Sequence, residues 1–251
     1  MSDFSINDNG LAVITLSRPP VNAFDDTLLD FVSEALQTLE MATDVGALLI
    51  KAEGKHFSAG ADMKYISDWG EGAEATDKLV AFSSRLQDTF LRVANLPFPS
   101  IAALHGGTTA GAGFELALAC DLRVVARDAK MGLPEVRYGW IASAGGTQRL
   151  TARIGKSAAL RLMVAEEFIG GEDAYRLGIA DWLVDAEDVI RTATEIGDKI
   201  ASYPRAAVRA IKDLTQPDRG DGLAKELYYT RLLEYEKTSH GLVKQFLNKK
   251  T

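Results

Sequence analysis

The chain has 251 residues, a hydrophobic share of 47%, a charged share of 25% and a net charge of −7. This is the composition of a soluble globular protein with ample apolar material for one large core, or a core with a subdomain. The acidic balance and the lack of a basic stripe exclude a nucleic-acid partner, while a few placed lysines could still serve an anionic ligand.

Phe4–Ile6 and Leu11–Leu16 alternate apolar and polar residues around Asp8-Asn9-Gly10, which predicts a hairpin. Arg18-Pro19-Pro20 ends the second strand, because proline cannot extend a ladder. Asn22-Ala23-Phe24 reads as a loop, and Asp25 or Asp26 as the cap of a helix over 27–41. That helix is predicted by Leu28, Phe31, Val32, Leu36 and Leu39 at helical spacing. Ala47–Ala52 is a buried strand. The small residues of His56–Asp62 then lead into Met63-Lys64-Tyr65-Ile66. Taken alone this is an ordinary strand-to-helix turn, but such a loop also leaves backbone N–H groups open to a ligand. Residues 70–75 are polar and small, and 77–94 form an amphipathic helix stopped by Asn95-Leu96-Pro97.

Ser100–Leu104 is a short buried strand, followed by a glycine-rich loop with Gly106, Gly107, Gly111 and Gly113. Those glycines permit backbone conformations closed to other residues and let a ligand approach the main chain. Phe114–Ala119 begins a helix, whose N-terminus offers unpaired N–H groups and a positive dipole end, with Glu115 in the first turn. Leu122–Ala126 is a strand, Met131–Glu135 a loop in which a carboxylate follows a proline, and Gly145-Gly146-Thr147 opens a helix through Arg153. Helices over 158–164, 171–177 and 186–201 enclose a short strand at 180–184. Strands and helices that alternate as far as Val184 predict an α/β core with parallel pairing. Beyond about residue 190 the pattern is helical only. The apolar anchors Leu227, Leu232, Tyr235 and Phe246 fit a tail packed on a neighbouring subunit.

Cys120 is the single cysteine, so a reducing compartment is expected, and its place on an apolar helix makes it a core residue. No secretory leader, membrane span, peroxisomal signal or lipidation signal is read from the chain, and a cytoplasmic location is expected. His56, His105 and His240 share no metal-ligand spacing, so no metal is expected. Neither a G-x-S-x-G elbow nor a G-x-x-x-x-G-K-[ST] phosphate loop occurs. Gly111-Ala112-Gly113-Phe114-Glu115-Leu116 approaches a dinucleotide fingerprint. Leu116, however, fills the third small position, and Glu115 would repel a pyrophosphate.

Two loops of small residues, 58–61 and 106–113, remain together with Glu115 and Glu135. Each glutamate alone is a helix-end or surface residue. With both loops, backbone donors could hold a carbonyl oxygen as it becomes an enolate, and two carboxyls could deliver water and a proton to a double bond.

The pieces Arg18-Pro19-Pro20-Val21-Asn22-Ala23-Phe24, His56–Asp62, Gly106–Asp121, Leu133-Pro134-Glu135-Val136 and Gly145-Gly146-Thr147-Gln148-Arg149-Leu150 resemble the crotonase superfamily of enoyl-CoA hydratases and isomerases. The resemblance runs over nearly the full length. It implies a spiral of ββα units over 1–190 holding an acyl-CoA site. It also implies a helical region over 191–251 that builds a homotrimer, or a hexamer of two trimers. The substrate is an acyl-CoA thioester, with no separate cofactor and no membrane partner. By position, the amides of Ala61 and Ala112 form the oxyanion hole, Glu115 handles water and Glu135 supplies a proton. Coenzyme A is expected along Val21, Asn22, Ala23, Ala59, Gly60, Asp62, Met63 and Gly111. Lys64 and the tail residues Phe246 and Lys249 would serve its nucleotide.

The implied reaction is hydration of a trans-2-enoyl-CoA. The rival readings are another crotonase-type reaction (isomerase, decarboxylase or aromatic hydratase-lyase) and a non-catalytic CoA-binding assembly subunit. Two stretches depart from the family pattern. Trp140-Ile141-Ala142-Ser143 replaces the Ile-Pro-Gly common in relatives, and Lys237–Gly241 replaces their acidic tail motif.

Overall fold

The computed structural model describes residues 1–165 and 167–215. In chain order the elements are β1 (Asp3–Ile6), β2 (Leu11–Leu16), α1 (Asp26–Met41), β3 (Ala47–Ala52), α2 (Met63–Ser67), α3 (Ala73–Asn95) and β4 (Ser100–Leu104). There follow β5 (Thr108–Ala110), α4 (Ala112–Ala119), β6 (Leu122–Ala126), β7 (Lys130–Gly132), a 3₁₀ turn at Glu135–Tyr138, α5 (Gly146–Ile154) and α6 (Lys156–Val164). The described region closes with β8 (Ile169–Gly170), α7 (Gly171–Arg176), β9 (Trp182–Val184), a 3₁₀ turn at Ala186–Asp188, α8 (Val189–Ala201) and α9 (Arg205–Leu214).

Among the described residues, six strands form one sheet in the order β1-β2-β3-β4-β6-β9, with only β1 antiparallel to its neighbour. A second, three-stranded sheet runs β5-β7-β8. Single bridges extend it, because Phe24 pairs with Ala61 and Ser58 with Thr109. Each turn of the chain therefore gives one strand to the large sheet and one short extended piece to the second layer, then a helix. β2, β3, β4 and β6 are matched in this way by Phe24, Ser58–Ala61, β5 and β7. That winding is the spiral of ββα units, and it brings the two small-residue loops side by side.

Local chemistry accounts for the elements. β4 is buried at all five positions, as parallel strands covered on both faces require. α4 is buried at all eight positions, so it has no polar face and must lie inside the core. α1 starts at Asp25, whose side chain accepts from the Leu28 amide. α8 crosses the sheet over β2, β3, β4 and β6. There Gly197 lies so close to Leu11 that a Cβ would approach its Cδ1 to 2.7 Å.

Arg123 is fully buried and its five N–H groups all find acceptors: Ile179 O, Ala117 O, Cys120 O, Asp121 O and the Asp181 carboxylate. It thereby caps the C-terminal end of α4 and ties it to the strand end of β6. Lys212 of α9 completes the cluster, donating to Phe98 O at 3.0 Å and Asp121 Oδ2 at 2.7 Å.

The strands at 47–52, 100–104 and 122–126 coincide with β3, β4 and β6. Differences lie in the second layer. The stretch read as one glycine loop contains β5, α4 begins two residues before Phe114, and the loop at 131–135 overlaps the end of β7. Strands of two or three residues cannot show alternation, so no periodicity announces them. α3 starts at Ala73, inside the polar stretch 70–75. The 186–201 helix is a 3₁₀ turn running into α8, and the boundary expected after residue 190 falls within α8. The expected tail over 223–246, with its subunit contacts, lies outside the described residues.

Candidate active site

The second layer and α3 enclose one cavity of about 620 Å³, within the range usual for small-molecule sites. Ala59, Gly60, Ala61, Met63, Gly111, Ala112, Glu115 and Glu135 all line it. The pairing of Ser58 with Thr109 brings the loops carrying Ala61 and Ala112 to one wall, and the pairing of β5 with β7 brings Glu135 beside them.

Two amides stand open on that wall. Phe24 bonds across the bridge to both neighbours of Ala61: its N–H donates to Gly60 O at 2.7 Å, and its carbonyl accepts from Asp62 N at 2.8 Å. In a parallel bridge the middle residue turns its own N–H the other way. Ala112 is the first residue of α4, where the amide has no partner within the helix. No acceptor among the described residues takes either amide. Gly60 separates them with φ +102°, and a Cβ built there would lie 2.9 Å from Ala110 O and 3.3 Å from Ala112 N. Only glycine fits that contact.

Arg18 fixes the loop from behind. Its guanidinium reaches Asp25 at 2.9 Å, Ala23 O at 3.1 Å and Asp62 at 2.6 Å, so one side chain clamps the caps of both α1 and α2. Burial raises the Asp62 pKa, but bonds from the Tyr65 amide and Arg18 outweigh it and leave the carboxyl below its ordinary value.

Glu115 is 2% exposed, and its Oε1 accepts from Ala144 N at 2.7 Å and Gly146 N at 2.8 Å. Burial pushes its pKa up to about 7, the Glu135 charge adds to the rise, and the two amides and Arg149 oppose it. Glu135 sits at the start of the 3₁₀ turn, and its Oε2 is buried with no partner among the described residues. Burial raises its pKa as well. One carboxyl is thus held as an acceptor by two N–H groups, while the other has an oxygen that favours a proton. Both face the cavity that the open amides line.

The remaining expected ligand residues are placed differently. Asn22 is buried at φ +52°, and both hydrogens of its amide are donated, to Glu53 O at 2.9 Å and His56 O at 2.8 Å. Its side chain staples the loop. Val21 accepts from Ala59 N at 2.9 Å, and Ala23 is buried. Asp62 caps α2 and pairs with Arg18, so its carboxylate is engaged within the protein. Lys64 is exposed in the first turn of α2, beside Met63 at the cavity. Phe246 and Lys249 lie outside the described residues. Among those described, no cluster of three metal-ligating side chains occurs, and no helix is long and apolar enough to cross a membrane.

Sequence reasoning did not single out Ala144 and Gly146 as partners of Glu115, nor Ser83, Gln87 and Tyr138 as cavity residues, whereas the departing stretch at 140–143 does line the cavity through Trp140, Ile141 and Ser143. The Gly145-Gly146 pair was the available signal, because a Cβ at Gly146 would lie 2.8 Å from Glu115 Oε1.

The enoyl-CoA hydratase/isomerase family model matches residues 7–250. The chain belongs to the enoyl-CoA hydratase/isomerase family, within the crotonase superfamily. Similar family members include a probable enoyl-CoA hydratase of Bacillus subtilis (strain 168), 36% identical over 208 residues, 82% of this chain and 79% of the relative. A 2,3-dehydroadipyl-CoA hydratase of Escherichia coli (strain K12) is 31% identical over 244 residues, 95% of this chain and 92% of the relative. The crystal structure of an enoyl-CoA hydratase from Bacillus anthracis superposes with a TM-score of 0.91 at 30% identity, covering 99% of this chain and 96% of that one.

Proposed function

We propose that this crotonase-family chain hydrates a trans-2-enoyl-CoA to a 3-hydroxyacyl-CoA, with Glu115 and Glu135 as its acid–base pair. The observation that supports this reading is the meeting of two unengaged amides with two carboxyls of raised pKa in one cavity. The thioester oxygen would lie between Ala61 N and Ala112 N. Each such donor contributes roughly 2.7–4 kcal/mol once negative charge develops on that oxygen. A water held by Glu115 gives its proton to that carboxylate as its oxygen bonds to C3. The π electrons move through C2 onto the thioester oxygen, and the collapsing enolate takes the Glu135 proton at C2. The pair then exchanges its proton with solvent to reset. Glu115 suits the first role because two amides stabilise its charged form, and Glu135 the second because its orphan oxygen favours the neutral form.

Coenzyme A would run past Val21–Ala23 and α2, with Lys64, and on the family pattern Phe246 and Lys249, near its phosphates. The same reading includes no separate cofactor and assembly as a trimer or a dimer of trimers. Incubation with crotonyl-CoA and longer 2-enoyl-CoAs in H₂¹⁸O decides the reaction. Label in a 3-hydroxyacyl product supports hydration, whereas double-bond migration without label replaces it by isomerisation. Acyl-CoA binding without turnover on any thioester would leave an assembly subunit.

A further inference from the structure

The loop that carries the partners of Glu115 is tied to α3 by contacts that the proposed chemistry does not use. Gln87 Nε2 donates to Ser143 O at 2.5 Å, and the Ser143 and Ser83 hydroxyls meet at 3.2 Å. Ser83 and Gln87 lie four residues apart, on one face of α3, and both line the cavity with Ser143. Ser143 immediately precedes Ala144, whose amide is 2.7 Å from Glu115 Oε1. Residues 140–143 carry no helix or strand, so their main chain has no ladder to hold it. In place of a proline-stiffened segment, this chain has a serine at 143 that α3 grips from two sides.

We propose that Ser83 and Gln87, acting through Ser143, are positioning residues for Glu115: they hold the loop whose amides of Ala144 and Gly146 orient its carboxylate. The proposal rests on the reading of Glu115 as the group that takes the proton from water. The charged groups facing Glu115 are Glu135 from the 3₁₀ turn and Arg149 from α5. The cavity residues of α3 are uncharged, β5 carries no titratable side chain, and Tyr138 is the remaining titratable cavity residue among those described. Loosening the tether therefore acts on Glu115 through its two amide bonds. Weaker amide bonds stabilise the carboxylate less, so its proton affinity rises.

The test uses Gln87→Met, Ser83→Ala and the double variant, with glutamate δ-carboxyls labelled with ¹³C. The Glu115 signal is assigned by its loss in Glu115→Gln. The expected result is a titration midpoint raised by about half a pH unit in the double variant. The acidic limb of kcat/KM should move in parallel, kcat should fall about tenfold, and the Kd for a saturated acyl-CoA should stay within about twofold. Gln87→Met alone, on an exposed helix face, gives the readout if the double variant does not fold. An unmoved midpoint in a folded variant that still binds acyl-CoA overturns the proposal, whatever happens to kcat. Near-wild-type turnover in Glu115→Gln would instead remove the base reading beneath it, so the two failures are distinguishable.

Discussion

Gly146 is packed against the carboxyl of Glu115, donating its amide to Oε1 at 2.8 Å and leaving room for no side chain. A Cβ at 146 would lie 2.8 Å from Oε1 and 2.9 Å from Cγ of Glu115, both below any ordinary contact. Gly146→Ala should therefore displace the Glu115 side chain without emptying or filling the core. A displacement on the order of 1 Å at a reacting group costs about a hundredfold in rate. Steady-state kinetics should show kcat reduced by about that factor, with acyl-CoA affinity and circular dichroism retained. A variant with wild-type kcat would show that Glu115 need not occupy this position.

Glu115→Gln and Glu135→Gln should each lose most turnover and keep acyl-CoA binding, since both are nearly isosteric and neither touches the open amides. The pH dependence has a defined sign. Glu115 must be ionised to accept a proton, and its pKa is pushed up to about 7. In the wild type kcat/KM should rise as pH increases toward that value. Glu135 must be protonated to donate, so the rate should also fall as pH rises through the raised pKa of that group, and the two limbs belong to the coupled pair. A kcat/KM that stays flat as pH rises through about 7, the pKa of Glu115, would remove that group from the mechanism.

The large sheet was legible in the sequence because its strands are apolar runs of five or six residues, and β3, β4 and β6 needed no tertiary information. The glycine-rich stretch and Glu115 were visible as a locality. What could not be read was the reason for that locality. The second layer is built from bridges and strands of two or three residues, too short for any period, and its pairing of Ser58 with Thr109 joins loops far apart in sequence. The same limit hid the partners of Glu115, because amides at 144 and 146 have no residue-type signature. Asn22 and Asp62 were legible as polar residues of the site, but only geometry shows their side chains engaged with the main chain and with Arg18.

The raised pKa of Glu115 is also a statement about stability. Its folded value, about 7, exceeds the ordinary carboxyl value, 4.5. Between those values the folded chain binds more protons than the unfolded chain, so stability falls as pH rises through the window. The full difference is on the order of 3 kcal/mol above the folded pKa and absent below the unfolded one. Glu115→Gln should thus be more stable than wild type above about pH 7, with the gain vanishing below pH 4.5, where the carboxyl is neutral both folded and unfolded. Thermal melts of the two proteins across this range measure it. A pH-independent difference would mean that the carboxyl is not held against its own ionisation.

Arg123 supports α4 from its other end. Replacing it with methionine removes five donated bonds and takes this donor from the carbonyls of Ile179, Ala117, Cys120 and Asp121, while Asp181 keeps the residue-123 amide and Arg153. A buried acceptor left without its donor costs about 1–3 kcal/mol. Arg123→Met should lower the chemical denaturation midpoint accordingly, and an unaffected midpoint would show the cluster to be dispensable for the fold.

Gly60 tests the oxyanion site with a built-in control. At φ +102° an alanine suffers backbone strain, and its Cβ also meets Ala110 O at 2.9 Å and Ala112 N at 3.3 Å. Gly54 has a similar φ of +82°, and a Cβ placed on it would meet nothing within 4 Å, so Gly54→Ala carries the strain alone. That strain is roughly 1–2 kcal/mol and should appear as a similar loss of stability in both variants. Only Gly60→Ala should push the loop that carries Ala61 away from the start of α4 at Ala112. Losing one aligned donor corresponds to a fall of about 10²–10³ in kcat. KM for the thioester should change far less, because the donors act on charge that develops only in the transition state. If both variants lose stability equally and keep wild-type kcat, the two amides do not hold the thioester oxygen.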